Sequence, residues 1–147
     1  MKAGVALRRG QRAEAIRHVE RLQSLLGRDV PFGIAVAAQT YAAAGDTAKA
    51  RTLIDRLTSL SREGYVEYAW FAVTRAALGD MPRALDALEA SANAREVDFL
   101  LALDKIFDDS PNDPRVRRLL RRTGLERRWV ASLEKPVTRS FSSKRPN

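Results

Sequence analysis

An all-α fold is expected from three observations on this 147-residue chain. First, Gly10, Gly45 and Gly79 recur 35 and then 34 residues apart, each flanked by two helix-length stretches. Second, alanines keep register with them: Ala15, Ala50 and Ala84 lie five residues after each glycine, and Ala3, Ala38 and Ala72 seven before. Third, no stretch shows the two-residue alternation of a half-buried strand. Any one alanine match is weak in a chain this rich in alanine. Their joint registration at one period is a repeat.

Each element has a local reason. A glycine ends the first helix of a pair, because a left-handed conformation costs it little, and lets the chain turn tightly into the second. Asp46 and Asp80 follow directly and are placed to cap the next helix. Pro82 falls in a first turn, where its missing N–H is harmless. Ala38 with Ala50, and Ala72 with Ala84, let paired helices approach closely. Tyr41, Ile54, Leu57, Tyr68, Phe71, Leu85 and Leu88 are expected to fill the space around those contacts. Helix pairs are thus expected over about residues 1–27, 30–62 and 64–94, with a cap over 95–125. Phe99, Leu100, Leu103, Ile106 and Phe107 form an apolar stripe that packs over the last pair, or serves a partner. Trp70 and Trp129 are expected near the core.

Gly-Asp-x-x-x-Ala, repeated at 34 residues after a helix with small or aromatic positions, resembles the tetratricopeptide repeat. The likeness covers residues 1–94. Within it Ile34 stands where the family favours Trp, Arg75 stands where Tyr41 stands one repeat earlier, and only nine residues precede Gly10. The stretch Asp98–Leu125, with Asp-Pro-Arg-Val and Leu-Leu-Arg-Arg-Thr-Gly-Leu, resembles the terminal cap of bacterial tetratricopeptide proteins attached to signalling or regulatory domains. The resemblance implies a right-handed superhelix of antiparallel helix pairs with C-terminal capping helices. It also implies that the first helix of each pair lines a concave binding groove. By offset from the repeat glycines, Phe32, Ala35, Gln39, Ala42 and Ala43 fall there from the second repeat. Val66, Ala69, Val73, Ala76 and Ala77 follow from the third, and Gly4, Leu7 and Arg8 from the first. The groove expected is shallow, apolar and nearly uncharged. It lacks the Lys, Arg and Asn with which some members clamp a C-terminal carboxylate. The first repeat looks short of its leading helix, so a longer parent protein, or a second copy completing that repeat, is the corresponding expectation.

Composition narrows the chemistry. The chain has no cysteine and one histidine, His18, which excludes disulfides, thiolate metal sites and two-histidine metal sites. His18 sits in Arg17-His18-Val19-Glu20 and reads as a solvent-facing helical residue. The glycines are isolated, so no phosphate-cradling loop is present. The acidic cluster Asp104, Asp108, Asp109 and Asp113 lacks calcium-loop spacing. Asp113 before Pro114 reads as an N-cap, and Asp108 with Asp109 as a turn. No cofactor or metal and no catalytic role is expected.

The net charge of +8 is uneven: residues 1–30 carry +4, residues 31–110 carry −4, and residues 111–147 carry +8. Much of the last figure lies in Pro114–Arg122, where Val116, Leu119 and Leu120 make one apolar stripe. Arg115, Arg117, Arg118, Arg121 and Arg122 cover the remainder. The stretch reads first as the polar outer face of a capping helix. The alternative is a nucleic-acid or other anionic-partner patch on Arg117, Arg118, Arg121 and Arg122, extended by a basic tail over residues 126–147 that is too polar to fold alone. No signal peptide and no membrane-length apolar run is seen, so a cytosolic protein is expected. The functional expectation is a non-catalytic protein–protein interaction module or scaffold that binds a protein or peptide. A basic nucleic-acid-associated protein using residues 115–145 is the runner-up.

Overall fold

Eight helices follow one another along residues 2–126, the part of the chain that the computed structural model describes, with no strand among them. They are α1 (Lys2–Arg8), α2 (Arg12–Leu26), α3 (Pro31–Ala44), α4 (Thr47–Glu63), α5 (Tyr68–Ala77), α6 (Met81–Ala94), α7 (Phe99–Asp109) and α8 (Pro114–Arg122). Two compact units divide the chain, residues 1–111 and 112–147. The division falls ahead of α8. Trp129 and most of the basic tail lie outside the described residues.

The repeat glycines make one turn three times. Gly10, Gly45 and Gly79 have φ of 74, 95 and 77°, all left-handed. The residue after each (Gln11, Asp46, Asp80) donates its N–H to the carbonyl five positions back (Ala6, Tyr41, Arg75) at 2.9, 2.9 and 3.0 Å. That bond satisfies a carbonyl the helix end would otherwise leave open. Beyond the turn, the Asp46 carboxylate accepts from the Lys49 N–H at 3.0 Å and the Asp80 carboxylate from the Arg83 N–H at 3.4 Å. Gln11 offers α2 no side-chain cap. The same turn recurs between α6 and α7 without glycine. There Arg95 takes φ 55°, and Glu96 donates its N–H to Ser91 at 3.2 Å.

Packing in the first unit follows from these turns. α1 packs on α2, α3 on α4 and α5 on α6, while α1, α3, α5 and α7 touch in succession. By contrast, no Cα of α2 comes within 8 Å of α4, nor any of α4 of α6. The alanines explain the close pairs. Ala15, Ala50 and Ala84 are each 0% exposed, so the opposing helix sits directly on a methyl group. Leu57, Leu88, Leu103 and Ile106 fill the core beside them, and α7 lays Phe99, Leu103, Ile106 and Phe107 inward against α5 and α6. Leu100 of the same stripe points out.

Two expectations need correction. Tyr68 is exposed, because as the first residue of α5 it has no preceding turn to pack on, and Val66 and Ala69 fill the space instead. Asp108 and Asp109 form the last helical turn of α7, where Lys105 pairs with Asp109 at 2.6 Å across one turn.

A polar tie joins α2, α3 and α4. The buried Tyr41 donates its hydroxyl to Glu20 Oε1 at 2.9 Å, and Lys49 Nζ lies 4.1 Å from the ring centre and 3.6 Å from that same carboxylate oxygen. Burial foremost raises the Tyr41 pKa, with the Glu20 carboxylate adding to it and Lys49 opposing.

In the second unit, Asp113 caps α8 by accepting from the Arg115 N–H at 2.7 Å, as its place before Pro114 predicts. Val116, Leu119 and Leu120 are buried, and Arg118, Arg121 and Arg122 are exposed. No helix among the described residues is long and apolar enough to cross a membrane.

The turns give a paired stability test. Nothing lies within 4 Å of a Cβ added at Gly45, so Gly45→Ala meets only backbone strain. It is expected to cost about 1–2 kcal/mol. Arg95→Gly relieves the same strain and is expected to gain up to about 1 kcal/mol. Urea unfolding of both variants checks the opposite signs; a destabilising Arg95→Gly would show that the side chain carries more than the turn costs.

Candidate binding groove

The odd helices α1, α3, α5 and α7 share one hollow of about 460 Å³. Ala3, Gly4 and Leu7 come from α1, and Val36, Gln39, Thr40 and Ala43 from α3. Ala76 and Ala77 come from α5, and Lys105 and Asp109 from α7. Small side chains make the hollow. Five of its eleven lining residues are alanine or glycine, which leave open space between the helices that bear them.

Polar groups in the hollow are few and mostly engaged. Thr40 donates its hydroxyl to the Val36 carbonyl at 2.8 Å, and Gln39 donates its amide to the Ala35 carbonyl at 3.3 Å. The Gln39 carbonyl oxygen and the Thr40 lone pairs are therefore left as acceptors. Lys105 and Asp109 make an exposed ion pair at the α7 side, worth little to stability but able to orient a polar group. The residues present suit apolar contact and a few hydrogen bonds.

The residues expected from repeat offsets fall on both sides of this surface. Gly4, Leu7, Gln39, Ala43, Ala76 and Ala77 line the hollow. Ala35, Val66, Ala69 and Val73 are turned into the core, at 0, 6, 0 and 4% exposure. On α3 the exposed stripe thus runs through Val36 instead of Ala35. Phe32 is exposed, and its ring meets Trp70 edge-on at 5.5 Å. Trp70 is half-buried. The α7 contribution was not expected, since α7 follows a turn that has Arg95 where the other repeats have glycine.

A second polar cluster sits at the corner between α6 and α7. The Glu96 carboxylate accepts from the Tyr65 hydroxyl and from the backbone N–H groups of Tyr68 and Ala69, at 2.8 and 3.0 Å for the latter two. Glu67, the residue at the cap position of α5, makes no side-chain cap bond, so Glu96 caps that helix from 28 positions away. Burial raises the Glu96 pKa, but the hydrogen bonds outweigh it and hold the carboxylate below its ordinary range. Its bond to Tyr65 pushes that phenol up to about 12. Glu67 behaves oppositely: burial, then the neighbouring Asp98 carboxylate, raises its pKa, and its Oε2 is buried without a hydrogen-bond partner. The cluster ties the segment before α5 and the start of that helix to the α6–α7 corner.

Other residues weighed for chemistry are structurally placed as well. His18 lies 3.4 Å from Glu14, one helical turn away. Asp113 is engaged as a cap. Among the described residues, no group of three or more His, Asp or Glu side chains is arranged to hold a metal ion. On α8, Arg117 reaches Asn112 at 3.3 Å and Arg121 reaches Glu126 at 3.7 Å, while Arg118 and Arg122 extend from the same exposed side. Compared with known protein families, curated proteins and solved structures, the chain matches none. What its architecture defines by itself is an all-helical protein.

The two glutamates give stability profiles of opposite sign. The contribution of Glu96 is present above the ordinary glutamate pKa and is lost as pH falls through its lowered folded value. Glu67 has a raised folded pKa, so its penalty at neutral pH is relieved as pH falls through that value. Glu96→Gln is expected to destabilise by about 1–2 kcal/mol at neutral pH. Glu67→Gln is expected to stabilise, with a gain that shrinks towards about pH 4. Urea melts across that pH range decide it, and a matching sign for the two variants would refute the assignment.

Proposed function

We infer that the chain is a non-catalytic protein-interaction module of the tetratricopeptide kind, its helix pairs coiling into a right-handed superhelix with the odd helices inside. One observation carries this reading: four successive odd-numbered helices contribute to a single, largely apolar hollow, while the even helices stand apart behind them. Backbones close on one side and spaced on the other are what a curved array requires. The repeated glycine turn and the fully buried alanines at each pair support the same reading. The ligand that suits this groove is an apolar helix or extended segment of a partner protein, with small side chains where the groove is shallow. As a scaffold the chain would act beside signalling or regulatory domains, as its terminal cap sequence suggests.

A second reading rests on α8. Its exposed arginines and the basic residues that follow suit a nucleic-acid backbone. Steeply salt-dependent binding to DNA or RNA, lost on removing residues 126–147, would favour it.

The groove reading is tested by selecting binders from a random peptide library and mapping them by NMR. Binders are expected to shift the amides of Val36, Gln39, Ala43 and Ala77. Ala43→Arg or Ala77→Arg, which put bulk and charge into the hollow, are expected to weaken them at least about tenfold. Selected peptides indifferent to both substitutions would remove the groove as the binding site.

A further inference from the structure

Behind the odd helices, the repeat is broken at one place. Glu20, Tyr41 and Lys49 tie α2, α3 and α4 together. Counted from the repeat glycines, the same three positions at the next junction are Asp55, Arg75 and Arg83. There the tie is missing. Asp55, one methylene shorter than glutamate, makes no hydrogen bond or ion pair among the described residues. In its place is an open cleft between α4 and α6, in two stretches of about 460 and 430 Å³ that share Thr58 and Arg75.

Arg75 occupies the floor of this cleft. It is half-buried, its guanidinium lies 5.4 Å from the Phe71 ring centre, and its one hydrogen bond is a 3.5 Å contact to the Arg83 carbonyl. No carboxylate pairs with it among the described residues. A guanidinium over an aromatic ring keeps a planar fork of donors matched to a carboxylate. Asp55, Asp80 and Asp86 also line the cleft, but none is paired with Arg75, and partial burial without a bonded carboxylate makes such a partner more favourable than it would be on an open surface. Next to it, Val66, Tyr68, Phe71, Ala87 and Ala90 give the first stretch an apolar wall.

We propose that the α4–α6 cleft docks a segment of a partner protein that carries a carboxylate beside an aromatic or large aliphatic side chain. The carboxylate pairs with Arg75, and the apolar side chain lies against Tyr65, Tyr68 and Ala90, which stand over the buried Val66, Phe71 and Ala87. The position of the site and its chemistry, an arginine without a bonded carboxylate, differ from those of the groove on the odd helices, so it stands or falls independently of that reading.

The probes are acetyl-Ala-Leu-Asp-Phe-Ala-amide and its counterpart with Asn in place of Asp, titrated into the full chain and followed by NMR. The acidic peptide is expected to shift the amides of Thr58, Phe71, Arg75 and Ala87, and the Asn peptide to bind at least about tenfold more weakly. Arg75→Gln is expected to abolish the difference between the two peptides. The double substitution Asp55→Glu with Arg75→Tyr rebuilds the tie found at the preceding junction and is expected to close the cleft to both. Gln39→Ala, on the other groove, leaves the response unchanged. Equal binding of the two peptides by the unsubstituted chain, which needs no variant to fold, overturns the proposal. So does a response confined to Gln39 and Ala43, no response at all, or a shift of the cleft amides on dilution alone, which would assign the cleft to a second copy.

Discussion

The thickness of one methyl group governs this protein. At Ala15, Ala50 and Ala84 the packed partner leaves no exposed surface at all, so each helix pair meets across a methyl group. Such contacts need a turn short enough to return the chain at that spacing. A left-handed residue supplies it, with the following N–H closing the loose carbonyl of the helix before. The layer of odd helices, and with it the hollow they line, follows from those two conditions. A larger side chain at any of the three alanines would separate the pair and spoil the register of everything beyond.

Much of this was readable in the residues because the signals are local. A glycine followed by aspartate is a turn followed by a cap, and both Asp46 and Asp80 accept the bond their position suggests. Asp113 before Pro114 is equally plain. The face that each helix presents was less legible. One residue on a helix is about 100° of rotation, and in a stretch such as Ala35-Val36-Ala37-Ala38 composition barely distinguishes inside from outside. Offsets from the glycine therefore named Ala35, which is buried, in place of Val36, which lines the hollow.

Long-range caps are invisible to such a reading. Glu96 reaches the start of α5 from 28 positions away, and no spacing rule connects them. The α6–α7 turn was hidden for a related reason, since Arg95 adopts the conformation that glycine advertises elsewhere. The end of α7 was misjudged because paired aspartates usually favour turns. Here Lys105 sits one turn before Asp109, and their ion pair supports the last helical residues.

The corner holding Arg95 and Glu96 also couples parts of the chain that are remote in sequence. A residue in a strained backbone conformation stands next to the carboxylate that secures the first amides of α5. When that corner opens, even briefly, Tyr68 and Ala69 lose their acceptor together with α7's anchorage. The start of α5 and the start of α7 thus share one opening event, and solvent exchange at either amide is a report on a bend most of a repeat away.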